Sequence, residues 1–332
     1  QTLPCRWLFV VHRANLLENA AARYELRTGA RAGRFGDGKT SLGDGGFVVA
    51  SFQTLWAGIK RGDPEILELL RSADALIVDE AHVLPAASCY RVAMATPNAY
   101  YRVGLSGSPF ARSDKKSMFT IASLGQVIYK LSPQTLIERG VLSRPTIRAV
   151  ECAHPPLDVD SWTKVYRTAV VQNSDRNNLL VQVTRRAAKP ALVFVQHTGH
   201  GKTLKNLLQK SGVRADFVYG NHTPHERMRQ ARRLTTGELD VLICTVVFQE
   251  GVDIPELRSV VVGTGGKAEI AAIQRIGRGM RVADGKTTFE VWEVNDTGNR
   301  WLEKHSTARI RAYEKEGHTV ERLSLKNIGA IA

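Results

Sequence analysis

Short runs of apolar residues recur along the chain, and most are followed by a longer stretch with helical periodicity. Because these runs show no polar alternation, they are typical of strands buried on both faces of a parallel sheet. The predicted strands cover residues 6–13, 46–51, 75–78 and 101–105 in the first half, and residues 191–196, 215–219, 241–245, 259–263 and 288–294 in the second. The alternation of strands and helices predicts an α/β fold with two parallel-sheet domains.

The length of the chain supports the same division. It has 332 residues, of which 43% are hydrophobic, so each of two domains can bury its own core. Between residues 111 and 145 turn-forming residues are frequent and the apolar strand pattern is weaker. We place the boundary between residues 143 and 144, which predicts domains at residues 1–143 and 144–332.

Composition narrows the class of protein. No run approaches the ~18 apolar residues of a membrane span, and no secretory signal pattern opens the chain. These features predict a soluble, cytoplasmic protein. The four cysteines, Cys5, Cys89, Cys152 and Cys244, lie far apart and form no C-x-x-C pair. Reduced thiols are therefore favoured over disulfides or a thiolate zinc site.

The charge balance is strongly basic. Lysine and arginine together number 46 and the acidic residues number 32, so the net charge is 46 − 32 = +14. Such an excess in an intracellular protein indicates a polyanionic partner, most simply a nucleic acid. A generally basic, solvated surface is the alternative.

The residues that follow one buried strand carry the strongest chemical signal. Residues 75–78 are apolar, and Asp79 and Glu80 come directly after them, followed by Ala81 and His82. Open α/β sheets bind ligands at the carboxyl ends of their strands, and two adjacent carboxylates there favour a cation. In nucleotide hydrolases the cation is Mg²⁺. If this chain is one, Asp79 would hold the ion and Glu80 would orient or deprotonate the attacking water. The alternative is a strand that ends in a solvated acidic turn.

Polar residues also follow the other predicted strands of the first half. Arg13 can reach a phosphate or form a salt bridge at the start of a helix. Gln53 and Thr54 can donate to a nucleic-acid backbone or cap the next helix. Ser106 and Ser108 end a further strand, which would bring them beside Glu80 and His82; a serine-rich turn is the alternative.

Two segments match part of a phosphate-loop signature. Residues 33–40 fit G-x-x-x-x-G-K-T, but another predicted strand follows Lys39 where the mechanism needs a helix. A flexible, basic surface turn is the favoured interpretation. Residues 197–204 contain a second G-K-T before a helical pattern, but position 196 is Gln instead of Gly, so we disfavour this loop as well. The H-x-x-H pairs at 197/200 and 222/225 lack further ligands for zinc.

The last candidate segments lie in the second half. Residues 245–255 leave a predicted strand, and residues 274–281 contain three arginines and two glycines in a helical pattern. Arg278 and Arg281 would share one helix face and could reach one polyphosphate. Gly277 and Gly279 weaken a helix and imply a close approach to another group. A basic, solvated helix is the alternative.

Taken together, these segments resemble the motifs of a superfamily 2 DNA helicase or translocase, in a pattern similar to phage UvsW-type and bacterial RadD-type enzymes. The resemblance runs over nearly all of the chain: residues 9–16 (motif Ia), 49–55 (Ib), 78–82 (II), 105–109 (III), 192–204 (IV), 220–227 (IVa), 242–255 (V) and 274–281 (VI). It implies an α/β fold with two RecA-like parallel-sheet domains, ATP and Mg²⁺ as cofactors, and DNA as the partner.

The resemblance also implies roles for individual residues. Those acting on the nucleotide are Asp79 as the Mg²⁺ ligand, Glu80 as the residue that activates water, Gly251 and Asp253 at the ribose, and Arg278 and Arg281 as arginine fingers. Those coupling the two domains are His82, Gln274, Ser106 and Ser108. Those facing the nucleic-acid backbone are Arg13, Gln53, Thr54, Arg227 and Thr245.

Members of this family carry a phosphate loop on a strand before motif Ia. We therefore expect the first domain to be incomplete, without that strand and loop, and this stretch alone to be inactive. The implied function is an ATP-dependent motor that moves on or remodels single- or double-stranded DNA in repair, recombination or branch migration, independently of base sequence. The motor subunit of a restriction system and a hydrolysis-deficient nucleic-acid-binding fragment are the alternatives. The Asp-Glu-Ala-His letters alone do not distinguish DNA from RNA.

Overall fold

The computed structural model describes residues 5–12, 14–107, 117–155, 161–245, 254–266 and 288–324, and the single positions 280, 282, 286 and 327. The chain divides into two compact units, Gln1–Lys130 and Leu131–Ala332. Each unit contains a mainly or wholly parallel sheet, so the predicted class, α/β with two parallel-sheet domains, is confirmed. Among the helices in the described part of the chain, none has the length and apolar character that crossing a membrane requires.

The first unit is built on a six-stranded sheet. Its strands are β1 (Trp7–Val11), β2 (Ala32–Gly36), β3 (Lys39–Gly43), β4 (Phe47–Ser51), β5 (Ala75–Asp79) and β6 (Tyr101–Leu105). They lie in the order β3-β2-β4-β1-β5-β6, and only β3 is antiparallel to its neighbour. The helices of this unit are α1 (Ala14–Thr28), α2 (Phe52–Arg61), α3 (Pro64–Ser72), α4 (Ala87–Met94) and α5 (Ser117–Leu124), with a 3₁₀ turn at Ala81–Val83.

The second unit is built on a seven-stranded sheet. Its strands are β7 (Arg144–Ala153), β8 (Ala191–Phe194), β9 (Ala215–Val218), β10 (Val241–Cys244), β11 (Ser259–Val262), β12 (Thr288–Thr297) and β13 (Val320–Leu323). The order is β13-β7-β12-β11-β8-β10-β9, and every neighbouring pair is parallel. The helices are α6 (Pro133–Glu138), α7 (Trp162–Val165), α8 (Ser174–Arg186), α9 (Thr198–Lys210), α10 (Pro224–Thr235) and α11 (Arg300–Lys315), with a π-helical turn at Tyr166–Val171.

The central strands explain why the apolar runs were clear in the sequence. All four residues of β8, β10 and β11 are buried, because helices cover both faces of a parallel sheet. Several helices begin where a short polar side chain accepts from a free backbone amide. Ser51 caps α2 by accepting from Thr54 N, and Thr223 and Glu226 form a reciprocal capping box at α10.

Two parts of the fold differ from the expectations. Residues 32–43, most of which were predicted as turns, form the antiparallel hairpin β2–β3. Its connection is Asp37-Gly38, and both residues have positive φ, which is the geometry of a tight hairpin turn. Lys39 is therefore the first residue of a strand, and no helix follows it directly. A phosphate loop needs a helix directly after its lysine, and a strand stands there instead.

The second difference concerns the start of the second unit. Ile137 on α6 and Leu142 pack against the buried core of the second unit. The predicted boundary between residues 143 and 144 therefore lies inside that unit, whose limit is at Leu131. Strand β7 begins at Arg144, where the sequence indicated only turn residues.

Candidate nucleotide site

The strand register of the first unit collects the predicted site residues at one edge. Val11 on β1 pairs with Ser51 on β4, Val10 pairs with Val78 on β5, and Asp79 pairs with Leu105 on β6. Because these four strands are parallel, their carboxyl ends meet at the same edge. Asp79, Glu80 and Ser106 lie there, as the sequence predicted.

Asp79 is the last residue of β5, and its side chain is partly buried. Its Oδ1 accepts a hydrogen bond from Glu80 N at 3.0 Å. Burial raises the pKa of the Asp79 carboxyl, and the negative charge of Glu80 raises it further. The backbone hydrogen bond and the nearby His12 and His82 offset part of this effect. A cation at Asp79 would stabilise the ionised form.

This donor set fits Mg²⁺. The ion prefers oxygen ligands and commonly takes one or two protein carboxylates together with phosphate oxygens and waters. Asp79 and Glu80 supply adjacent carboxylates, and the pKa of Asp79 is raised first by burial and then by the negative charge of Glu80. Asp79 would hold the ion, which supplies neutralisation of phosphate charge when it is bound.

Glu80 has an uncommon backbone conformation. Its φ of 51° and ψ of 51° lie in the left-handed region, which costs a residue with a side chain about 1 kcal/mol. This turn begins the 3₁₀ segment Ala81–Val83, in which Val83 N donates to Glu80 O at 2.9 Å. The conformation turns the chain sharply directly after β5 and fixes the direction in which the carboxylate leaves the backbone.

His82 connects Glu80 to the neighbouring strand end. Its Nδ1 lies 3.1 Å from Glu80 Oε2 and 3.3 Å from Ser106 Oγ. Ser106 follows β6, so one imidazole touches groups from two adjacent strands. The predicted proximity of Ser106 to Glu80 and His82 is present in the structure.

Gly104 permits the turn at Ala81 to approach β6. A Cβ on Gly104 would lie 3.0 Å from Ala81 Cβ and 2.5 Å from Leu124 Cδ1. Neither contact is available to a larger residue without movement of the turn or of α5. The absence of a side chain at residue 104 therefore helps to keep Ser106 within reach of His82.

The polar residues near β4 have structural partners. Gln53 Nε2 donates to His12 O at 2.8 Å, and Thr54 N and Oγ1 lie 3.1 and 2.9 Å from Ser51 Oγ. These bonds tie the start of α2 to the ends of β1 and β4. Ser51 is the residue that caps α2, and Thr54 N is the donor to that cap. A role of Gln53 and Thr54 at a nucleic-acid backbone stays a prediction.

In the second unit the two described candidates are also engaged. Arg227 donates from Nε to His222 O at 3.0 Å and from Nη2 to Gly220 O at 3.2 Å. Thr245 follows β10, is buried, and donates from its backbone N to Val218 O at 3.2 Å. Their contacts hold the loops at the ends of β9 and β10, and their nucleic-acid role stays a prediction.

One histidine of each H-x-x-H pair has a partner inside its own domain. His200 is fully buried, and its Nε2 lies 2.8 Å from Asn177 Oδ1. Burial, reinforced by the charge of Arg176, lowers the pKa of His200 to about 3, so the ring is neutral. His222 Nδ1 lies within hydrogen-bonding distance of the backbone of Tyr219. His200 is therefore part of the core, and His222 is part of the loop after β9.

One group of potential metal ligands was missed by the sequence. Cys152, His154 and Asp296 lie together and are buried. Asp296 is already paired with Arg176, whose Nε is 2.7 Å from Asp296 Oδ1, and with His154 Nε2 at 2.8 Å. Arg176 and His154 both contact the carboxylate of Asp296, so the group forms a hydrogen-bonded cluster in the core.

Seven candidate residues lie outside the described part of the chain. They are Arg13, Ser108, Gly251, Asp253, Gln274, Arg278 and Arg281. Their assigned roles stay predictions.

Two family models match the chain. The type III restriction enzyme res subunit model matches residues 2–111, and the helicase conserved C-terminal domain model matches residues 175–283. A protein of Sulfolobus islandicus filamentous virus (isolate Iceland/Hveragerdi), provisionally named helicase 22, is 32% identical over 287 residues, which cover 81% of this chain and 51% of the relative. The ATP-dependent DNA helicase uvsW of Enterobacteria phage T4 is 23% identical over 266 residues, covering 72% and 52%.

A solved structure shows the same fold. A single-residue variant of S. cerevisiae Dbp5, bound to RNA and ADP BeF3, matches with a TM-score of 0.66 and 16% identity over 98% of this chain and 79% of that one. The chain therefore shares the α/β fold of that structure, with two RecA-like parallel-sheet domains, and its two halves match one restriction-enzyme and one helicase family model. It spans about half the length of the two relatives named above.

Proposed function

We propose that the chain is the motor core of an ATP-dependent DNA helicase or translocase. The observation that carries the proposal is the arrangement at the end of β5, where Asp79 and Glu80 are adjacent and His82 lies 3.1 Å from Glu80 Oε2. A strained, left-handed Glu80 is expected at a functional site, where the geometry of the side chain matters more than local stability.

In this proposal each residue has one task. Asp79 holds the ion that neutralises the phosphates, and Glu80 orients the attacking water and accepts its proton. His82 fixes the carboxylate of Glu80 and, through Ser106, links it to the end of β6. Arg278 and Arg281 would stabilise the charge on the transferred phosphoryl group, an effect worth about 10³ to 10⁵ in rate for arginine fingers.

The nucleic-acid partner follows from charge and relatives. The net charge is +14, and one relative carries the name ATP-dependent DNA helicase. DNA is therefore the proposed nucleic acid. The residues proposed to contact its backbone are Arg13, Gln53, Thr54, Arg227 and Thr245. Backbone contacts carry no direct sequence information, so binding is proposed to be independent of base sequence.

Glu80 and the arginines can act only on a γ-phosphate that is already held in place. Neither Lys39 nor Lys202 is proposed to supply this hold, because neither has both the spacing and the strand-loop-helix setting of a phosphate loop.

A second candidate is the motor subunit of a restriction system. It is favoured by the match of residues 2–111 to the res subunit of type III restriction enzymes. The same site would hydrolyse ATP in both cases. A nuclease or methylase partner that copurifies with the protein would favour the restriction motor, whereas autonomous unwinding or branch migration would favour the helicase.

The test is phosphate release, with and without DNA, by the parent protein, meaning the full-length natural protein that contains these 332 residues. Glu80→Gln keeps the size of the side chain and removes the base, so it should abolish turnover and retain ATP binding. Glu65→Gln on α3, an exposed acid outside the site, is the matched control and should turn over normally. Normal turnover by Glu80→Gln would refute the proposal.

A further inference from the structure

The segment that leaves β11 is held unusually tightly. Residues 263–266, here called the β11 exit loop, are all buried. Gly263 N donates to Phe194 O at 2.9 Å. Gly265 has φ of +66°, and a Cβ there would lie 2.8 Å from Val170 Cγ2. The loop therefore fits its surroundings closely, and its carbonyl groups need donors inside the protein.

A buried arginine supplies the first donor. Arg176, near the start of α8, has no exposed surface, and its Nη1 donates to Gly263 O at 3.1 Å. Its Nε and Nη2 contact the two oxygens of Asp296 at 2.7 and 3.1 Å. Burial alone would raise the pKa of Asp296, but Arg176 and His154 outweigh burial and hold that pKa at about 2. The pair is therefore ionised.

A second buried arginine holds the other end of the loop. Arg309 on α11 is also without exposed surface, and its Nη1 donates to Gly266 O. Its Nε donates to Glu293 Oε1 at 2.9 Å, while Tyr313 OH donates to the other oxygen of Glu293 at 2.9 Å. The guanidinium also reaches Val294 O at 3.3 Å.

The two arginines are related by the task they share. Each comes from a different helix, each is paired with a carboxylate on β12, and each uses a remaining N–H on a carbonyl of the loop. A buried ion pair is a weak source of stability, because the desolvation of both charges offsets their attraction. Two such pairs directed at the ends of one four-residue loop define the position of that loop more than they stabilise the domain.

We propose that Arg176 and Arg309 are positioning residues for the arginine-bearing segment that follows the loop. The chain after Gly266 leads to Gln274, Arg278 and Arg281, so a fixed exit from β11 sets where that segment starts. This inference rests on the proposed function, in which those arginines stabilise the transferred phosphoryl group. Arg176 and Arg309 touch neither nucleotide nor DNA in this account, and they act through the backbone of the loop.

The first test needs no enzymatic activity. Hydrogen exchange is measured on the 332-residue chain for peptides covering residues 263–281 and for β8 and β10. Arg309→Lys retains the charge but cannot serve Glu293, Gly266 and Val294 together. It should speed exchange in residues 263–281 by about tenfold and leave β8 and β10 unchanged. Glu293→Gln, a milder change to the same pair, should act in the same direction.

Thr264→Val is the matched control. Thr264 lies in the loop, and its buried hydroxyl has no hydrogen-bond partner among the described residues, so a residue of the same shape should leave exchange unaltered. Unchanged exchange of residues 263–281 in both Arg309→Lys and Glu293→Gln would overturn the inference. Equal acceleration throughout the second unit would also overturn it, because that result indicates a purely structural role.

The second test separates positioning from binding in the parent protein. Arg309→Lys should lower kcat for DNA-stimulated ATP hydrolysis by about tenfold and leave KM for ATP within about twofold, because only transition-state contacts are displaced. A raised KM with unchanged kcat would contradict the inference. If the parent hydrolyses no ATP, the proposed function fails, while the exchange measurement still decides whether the arginines position the loop.

Discussion

His82 Nδ1 lies 3.1 Å from Glu80 Oε2, although Glu80 occupies a left-handed backbone conformation that few residues with a side chain adopt. The imidazole also lies 3.3 Å from Ser106 Oγ, so a residue on the next strand end contacts it. The strain at Glu80 and the contact at His82 together fix one carboxylate at the edge of the sheet.

This contact predicts a specific defect for His82→Ala. Loss of the imidazole frees the Glu80 carboxylate and breaks the link to Ser106. The rate of ATP hydrolysis with DNA should therefore fall by a larger factor than the rate without DNA. Steady-state rates with and without DNA measure the ratio. His318→Asn, in a half-buried site beside α11, is the control and should keep the ratio. Equal loss in both rates for His82→Ala would indicate a catalytic role instead of coupling.

The strain at Glu80 predicts a gain in stability when it is released. Glycine accepts φ of 51° without steric cost, so Glu80→Gly should raise the free energy of unfolding of the first unit by roughly 1 kcal/mol while it abolishes ATP hydrolysis. Glu80→Gln should abolish hydrolysis without that gain. Urea unfolding of both variants measures the difference, and a Glu80→Gly variant less stable than Glu80→Gln would contradict a net gain from relieving the left-handed conformation.

The Asp296 pair predicts a dependence of stability on acid. The pKa of the Asp296 carboxyl is about 2 in the folded protein and near 3.8 in the unfolded chain. Because this pKa is lower in the folded state, ionised Asp296 stabilises the folded protein at pH values above its pKa in the unfolded chain. This contribution is lost as the pH falls from about 4 to about 2. By the size of the shift it amounts to about 2 kcal/mol. Urea unfolding between pH 7 and pH 2 measures it.

Asp296→Asn should remove this acid dependence and should also destabilise the second unit at pH 7 by roughly 3 kcal/mol, because Arg176 is left buried without its carboxylate. Asp175→Asn, an exposed acid one position before Arg176, should cost less than about 1 kcal/mol. An Asp296→Asn variant with the acid sensitivity of the original protein would contradict the assignment.

The basic charge predicts how DNA binding responds to salt. If contacts are made to phosphates, log K should fall by about 0.9 per phosphate neutralised on duplex DNA as log salt rises. Affinity should be similar for unrelated sequences of equal length. Fluorescence anisotropy over a salt series with two duplexes measures both. A flat salt response, or a strong preference for one duplex, would count against backbone binding.

The sequence predicted the central strands and the site on β5 because their physical signals are local. Residues 75–79 form a buried strand, and the carboxylates follow directly from it. The hairpin β2–β3 was missed because its glycines resemble a loop, although Asp37-Gly38 is itself a hairpin signal. Strand β7 was missed because buried and exposed residues alternate along much of it, among turn residues at its start.

The buried arginines could not be found in the same way. Arg176 meets Asp296 across 120 positions, and nothing near either residue in the sequence marks a core pair. Charged residues are rarely fully buried, so a sequence pattern assigns them to the surface. Likewise, the strain at Glu80 depends on how the chain turns after β5 and has no local sequence signature.

The proposed function requires that Glu80 acts on ATP and that neither Lys39 nor Lys202 holds its phosphates. The most direct measurement is DNA-stimulated phosphate release by the 332-residue chain and by the parent protein, with Glu80→Gln, Arg278→Ala, Lys39→Ala and Lys202→Ala made in each. We predict little turnover by the chain alone and robust turnover by the parent, abolished by Glu80→Gln and Arg278→Ala and nearly unchanged by Lys39→Ala. Robust turnover by the chain alone that is lost on Lys39→Ala or Lys202→Ala would contradict the account.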